Sequence, residues 1–156
     1  MIRVAVGADH AGFRYKEYLV DLLRQRGYEV TDMGTDGPQS VDYPDYARAV
    51  AEAVARGEVE RGLLVCGSSV GVCIVANKVP GVRAGSCQTV YAARQAVEHD
   101  DMNVLCLGER VIGIEVARTV TEAFMEARFS DEERHRRRLN KLLAVERDYL
   151  SSGTED

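Results

Sequence analysis

Gly62-Leu63-Leu64-Val65-Cys66-Gly67-Ser68-Ser69-Val70-Gly71 passes from an unbroken apolar run into a glycine-bordered turn and then into a segment that can continue as a helix. An apolar run without alternation suits a strand covered on both faces, as in a parallel sheet. Outward from this stretch the same alternation of a short apolar run and a helical segment repeats. Strands are predicted at residues 3–8, 28–33, 62–66, 82–86 and 104–108. That pattern is the mark of βαβ units, so the expected fold is α/β: a three-layer, doubly wound, Rossmann-like sandwich with a five-stranded parallel sheet.

Helices are predicted at residues 12–26, 43–56, 70–78, 89–98 and 114–128. In the first, Tyr15, Leu19, Leu22 and Leu23 share one face and Gly27 supplies the C-terminal cap. A sixth helix opens at Ser130-Asp131-Glu132-Glu133, which has the spacing of a capping box, and carries Leu139, Leu142, Leu143 and Tyr149. No strand follows it. Its apolar stripe must cover its own domain or another copy of the chain, and the second is the expectation. The length of 156 residues suits one domain, residues 1–150, followed by a polar tail at 151–156.

A net charge of -5 disfavours wholesale attraction to nucleic acid or to an anionic membrane. The most apolar stretch, residues 62–79, is interrupted by glycine and serine and reads as buried core rather than a membrane span. The N-terminus lacks the long apolar run of a secretory leader, so a cytoplasmic location is expected. Cys66, Cys73, Cys87 and Cys106 form no CxxC pair, which suits reduced thiols better than a zinc site or disulfides.

Ligands of open parallel sheets bind beyond the carboxyl ends of the strands, where strand order reverses. That rule selects three loops: Gly7-Ala8-Asp9-His10-Ala11-Gly12, the Cys66 turn, and His99-Asp100-Asp101 after the fourth helix. The Cys66 turn can aim several backbone N–H groups at one anion, and a thiol beside it is placed to act as a base. An isolated cysteine at a strand end is inert packing in roughly four cases out of five, the reading kept for Cys73, Cys87 and Cys106. His99, among acidic residues, fits a proton donor or a solvated helix end, and His10 beside Asp9 shares that ambiguity. Arg134 and Arg138 stand at i, i+4 in a basic run and could clamp a phosphate or simply face water, and Arg110 is a further candidate.

Gly7-Ala8-Asp9-His10-Ala11-Gly12-Phe13, Asp42-Tyr43-Pro44, Cys66 to Gly71, Asn77-Lys78 and Asn103-Val104-Leu105 together resemble ribose-5-phosphate isomerase B, a family of aldose–ketose isomerases. The likeness runs from Ile2 to about Tyr149 and rests on several separated motifs in order. It implies that Cys66 removes the C2 proton of an open-chain sugar phosphate through a cis-enediolate, that Ser68 assists, and that His99 is the acid of ring opening. It implies that Asp9, Tyr43 and Asp100 touch sugar hydroxyls and that Gly67, Ser68, Ser69, Val70 and Gly71 form the anion hole. His10, Arg110, Arg134 and Arg138 surround the phosphate, the last two from a partner chain. A homodimer or tetramer with the active site between subunits is implied, with no metal and no cofactor.

Three residues depart from the family's pattern. Ser68 replaces a threonine and keeps the hydroxyl, Ser69 stands where glycine is common, and Asp100 replaces an asparagine. Asp100 is expected to favour a charged His99. The substrate expected first is ribose 5-phosphate; six-carbon phosphates such as allose or galactose 6-phosphate are rivals of the same chemistry. A phosphate-binding module without catalysis is the rival of another class.

Overall fold

The computed structural model of this protein describes residues 2–150. The predicted polar tail, residues 151–156, lies outside them. Five strands form one sheet: β1 (Arg3–Ala8), β2 (Glu29–Asp32), β3 (Arg61–Cys66), β4 (Ala84–Ser86) and β5 (Val104–Gly108). Their spatial order is β2-β1-β3-β5-β4 and every pairing is parallel, as the alternating pattern predicts. Helices α1 (Phe13–Gln25), α2 (Tyr43–Ala55), α3 (Val70–Ala76), α4 (Val90–Asp100), α5 (Ile114–Glu126) and α6 (Glu133–Tyr149) complete the described chain.

Side chains of a strand alternate between its faces, so each central strand feeds two cores. Val4, Val6, Leu63, Val65, Leu105 and Leu107 meet α1, α4 and α5 on one face. Ala5, Leu64, Cys66, Val104 and Cys106 meet α2 and α3 on the other. Burial on both faces, expected for all strands, holds for β1, β3 and β5. It fails for β2 and β4, which are the sheet's edges, and both are shorter than predicted. The outer edge of β4 is closed by a side chain: Asn77 Nδ2 donates to the Ala84 carbonyl at 2.9 Å, and the Ala84 amide donates to Asn77 Oδ1 at 2.8 Å. A sealed edge offers no row of free donors and acceptors to a stray strand.

α1 buries Leu19, Leu22 and Leu23 as its spacing predicts. It ends at Gly27, whose φ of +88° lets the Gly27 and Tyr28 amides turn back to the carbonyls of Arg24 and Leu23, each at 3.0 Å. On the same helix Lys16 is fully buried, and its ammonium meets Asp32 at 2.8 Å and Glu17 at 2.6 Å, as a buried charge requires.

The predicted capping box does not form. Glu132 is the N-cap of α6, and no side chain caps the helix. Ser130 is engaged elsewhere: its amide donates to the Glu98 carbonyl at 3.0 Å and its hydroxyl lies 2.5 Å from His135 Nδ1. Asp131, in the left-handed region at φ 54°, turns the chain between that tie and the helix. The first half of α6 packs on its own domain through His135 and Leu139, against α4. Its second half leaves Leu142, Val145 and Leu150 between 40% and 59% exposed.

Candidate active site

Strand order reverses between β1 and β3: the chain leaves β1 through α1 toward β2 on one side, and leaves β3 through α3 on the opposite face toward β4 and β5. A crevice opens where the two departing segments diverge. The cleft there, about 390 Å³, is lined by Asp9, His10, Tyr43, Cys66, Gly67, Ser68, Gly71 and Arg110, all singled out in the sequence. Ala11, within the selected Gly7–Gly12 loop but given no role, also lines it, as does Val111, for which the neighbouring Arg110 was the only signal.

Backbone geometry shapes this cleft. Gly12 opens α1 so close to β3 that a Cβ there would fall 2.3 Å from the Val65 carbonyl oxygen, so only glycine fits. Asp9, nearly buried, accepts from the amides of Ala11 and Gly12 at 2.9 and 3.1 Å through one carboxylate oxygen, which fixes the turn. The Val41 amide donates to His10 Nδ1 at 3.1 Å, so the neutral ring carries its proton on Nε2. Tyr43 begins α2, and its ring lies over Gly71, where a Cβ would sit 2.8 Å from it.

Cys66 ends β3 nearly buried yet borders the cleft, and its Sγ accepts the Ser69 amide at 3.1 Å. Ser68 is exposed on the cleft wall and its Oγ accepts the Val70 amide at 3.3 Å. Ser69 does adopt the positive φ that its departure from glycine puts in question, at 72°, which costs a non-glycine residue about 1–2 kcal/mol. It lies beneath the cleft, 1% exposed, and Val70 points to solvent, so neither side chain lines the site. Arg110 extends over Gly67 with no hydrogen bond or ion pair for its guanidinium among the described residues.

His99, Asp100, Arg134 and Arg138 are not brought to this cleft. The carboxyl-end rule was misapplied to the loop after the fourth helix: α4 runs antiparallel to the strands, so His99 near its end sits at the amino edge of the sheet, where β5 starts. Cys66 pairs with Gly108 at the far end of that strand, four residues up from Val104, or about 13 Å along the sheet. Among the described residues no ion pair joins His99 to the acidic residues beside it. Its ring stacks on that of His135, centroids 4.0 Å apart and planes 26° apart, while Asp101 pairs with Arg83 at 3.1 Å. No hydrogen bond joins His99 to Asp100 among the described residues. Arg134 is held by Glu132, and Asp100 borders a second cavity of about 510 Å³ between the β4 edge and the exposed end of α6.

His135 was read only as part of the basic run. It is 3% exposed, and burial pushes its imidazole down; His99, Arg134 and Arg138 push the same way and Glu132 opposes them. Its i, i+4 spacing to Leu139 was the available sign of a buried face. Cys73, left as inert packing, has a thiol lowered to about 7 by its contact with Cys106, whose own thiol is driven up by the same contact and by burial.

The profile of the ribose/galactose isomerase family matches residues 4–142. Ribose-5-phosphate isomerase B of Escherichia coli is 44% identical over 94% of this chain and 97% of its own. D-erythrulose-4-phosphate isomerase 2 of Mycolicibacterium smegmatis is 40% identical over 93% of this chain and 97% of its own. Among solved structures, ribose-5-phosphate isomerase B of Clostridium thermocellum superposes with a TM-score of 0.92 at 45% identity, covering 95% of this chain and 99% of that one.

Proposed function

The chain belongs to the ribose/galactose isomerase family, and from that premise we propose that it interconverts ribose 5-phosphate and ribulose 5-phosphate with Cys66 as the base. The observation that carries this reading is the Cys66 sulfur at the cleft wall, its Sγ accepting an amide while glycine-bordered backbone surrounds it. With C1 as the aldehyde, the thiolate takes the C2 proton and the electron pair moves onto O1, giving a cis-enediolate. Backbone donors of the Gly67–Gly71 turn and the Ser68 hydroxyl stabilise that charge. Return of the proton to C1, with transfer of the O2 proton to O1, leaves the ketose and the thiolate as it began.

Asp9 and Tyr43 are positioned for the sugar hydroxyls and His10 and Arg110 for the phosphate. His99, as acid of ring opening, Asp100, and the phosphate clamp Arg134 and Arg138 come from a second copy of the chain. One chain holds the two sets at opposite edges of its sheet, and the bare apolar end of α6 offers a surface for that copy. The site is then completed only in a dimer or larger assembly. No helix among the described residues is long and apolar enough to cross a membrane.

The test is turnover of five- and six-carbon aldose phosphates by the native chain and by Cys66→Ala, with tetrose 4-phosphate in the panel because of the four-carbon relative. Ribose 5-phosphate should be the best substrate. Cys66→Ala should lose about 10²–10⁴-fold in kcat, the worth of a positioned base, while ribulose 5-phosphate binding changes by less than about threefold. Unchanged turnover would refute the base assignment, and a six-carbon preference would move the substrate while keeping the chemistry.

A further inference from the structure

Ser69, in its left-handed conformation, bonds to two residues that lie outside every motif of the cleft. Its Oγ meets Ser86 Oγ and accepts from Gln88 Nε2 at 3.0 Å. The Gln88 amide reaches further: Nε2 also lies 3.2 Å from Ser86 Oγ and 3.3 Å from the Cys106 carbonyl, and Oε1 accepts the Gly108 amide at 3.4 Å. A carbonyl can only accept and a backbone amide can only donate, so these two partners fix which way the Gln88 amide faces. One side chain thus ties the Cys66 turn to the ends of β4 and β5. Without such ties a serine escapes the left-handed region, which is roughly ten times less favourable for it than for glycine.

We propose that Gln88 and Ser86 are positioning residues for the isomerisation, holding Ser69 so that its amide faces the Cys66 sulfur. The inference rests on the reading of Cys66 as the base. The Ser69 amide is the only hydrogen-bond donor found on that sulfur among the described residues. Glycine at 69 would hold the turn by its own backbone freedom, whereas serine at 69 needs the clamp. The network therefore accounts for how this chain carries a side chain at 69 and still closes the loop.

The experiment is a double-mutant cycle of Gln88→Met with Ser69→Gly, read in two ways. In the native background Gln88→Met should lower kcat for ribose 5-phosphate about tenfold with KM within about twofold, the ratio expected from losing the held conformer. In the Ser69→Gly background the same change should cost less than about twofold. Iodoacetamide alkylation, followed at the Cys66 peptide by mass spectrometry, should shift to higher pH in Gln88→Met, because losing a donor disfavours the thiolate.

An equal kcat loss in both backgrounds, or an unmoved alkylation profile, overturns the proposal, since a packing role does not depend on residue 69. Ser86→Ala repeats the comparison should Gln88→Met fail to fold, with the same two decisive outcomes. The alkylation arm needs no turnover. Failure of the base reading, seen as an active Cys66→Ala, is thereby told apart from failure of the clamp.

Discussion

The Cys66 corner and the His99 corner of this molecule are built from different materials. Around Cys66 the chain is shaped at its backbone: two amides are locked onto the Asp9 carboxylate, a glycine is pressed on Val65, and the Ser69 amide is aimed at the sulfur. Around His99 side chains meet side chains: His99 stacks on His135, His135 is hydrogen-bonded to Ser130, and the charges of Arg134 and Arg138 act on the His135 ring. The first corner forms a cleft within one chain. The second is a set of cationic and imidazole groups outside that cleft, as the proposed pairing with another copy requires.

Mixing chains breaks or sharpens that contrast with the largest expected effect. Cys66→Ala and His99→Asn, each alone, should lose most ribose 5-phosphate turnover. Mixed under conditions that exchange subunits, a twofold pair carrying one chain of each kind has one site with both native residues, so about a quarter of native activity should return. Failure of the mixture to exceed its parts, with mixed pairs demonstrated by native mass spectrometry, would place both groups in one chain's site or remove His99 from the reaction. A tetrose 4-phosphate adds resolution. Its C4 oxygen is phosphorylated and cannot close a furanose ring, so His99→Asn should spare this substrate if His99 serves ring opening.

A smaller effect is expected from one methyl in the backbone-built corner. Gly71→Ala puts a Cβ 2.8 Å from the Tyr43 ring, and the ring has to move. Displacement of a substrate-contacting group by about 1 Å can cost up to 10²-fold, so kcat/KM should fall about ten- to a hundredfold. Gly113→Ala, whose Cβ meets nothing within 4 Å, is the control and should change little. Equal behaviour of the two variants would mean that Tyr43 over Gly71 does not shape the site.

The same contrast explains what could be read from the sequence. Motifs such as Gly7 to Gly12 and Cys66 to Gly71 are local: a few consecutive residues specify both a turn and the groups it carries, so the cleft and the parallel sheet were legible. Ser86 and Gln88 were not, because their tie to Ser69 spans 17 to 19 residues and depends on β4 and β5 lying side by side. Ser130 misled for the same reason. Its spacing to Glu133 fits a local cap, yet contacts with Glu98 and His135 from the folded chain outcompete it. His99 was placed at the wrong edge of the sheet, since helix direction, not residue type, decides which edge a residue occupies.

The smallest expected effect tests whether the His99 corner is closed in solution. His135 is buried with its imidazole pushed below the ordinary range, first by burial and then by His99 and Arg134. In the unfolded chain it takes up a proton as pH falls through about 6.5, whereas in the folded chain it resists until a lower pH. Between those two values the unfolded state binds more protons, so stability rises with pH across the window and is lost as pH drops through it. Below the folded value the loss is complete and the slope from this group vanishes. His135→Gln removes that contribution, so its Tm should fall by a few degrees less than that of the native chain between about pH 7.5 and 5.5. Parallel Tm profiles for the two proteins would mean that the His135 ring is already open to water, and that the stack beneath His99 does not hold without its partner.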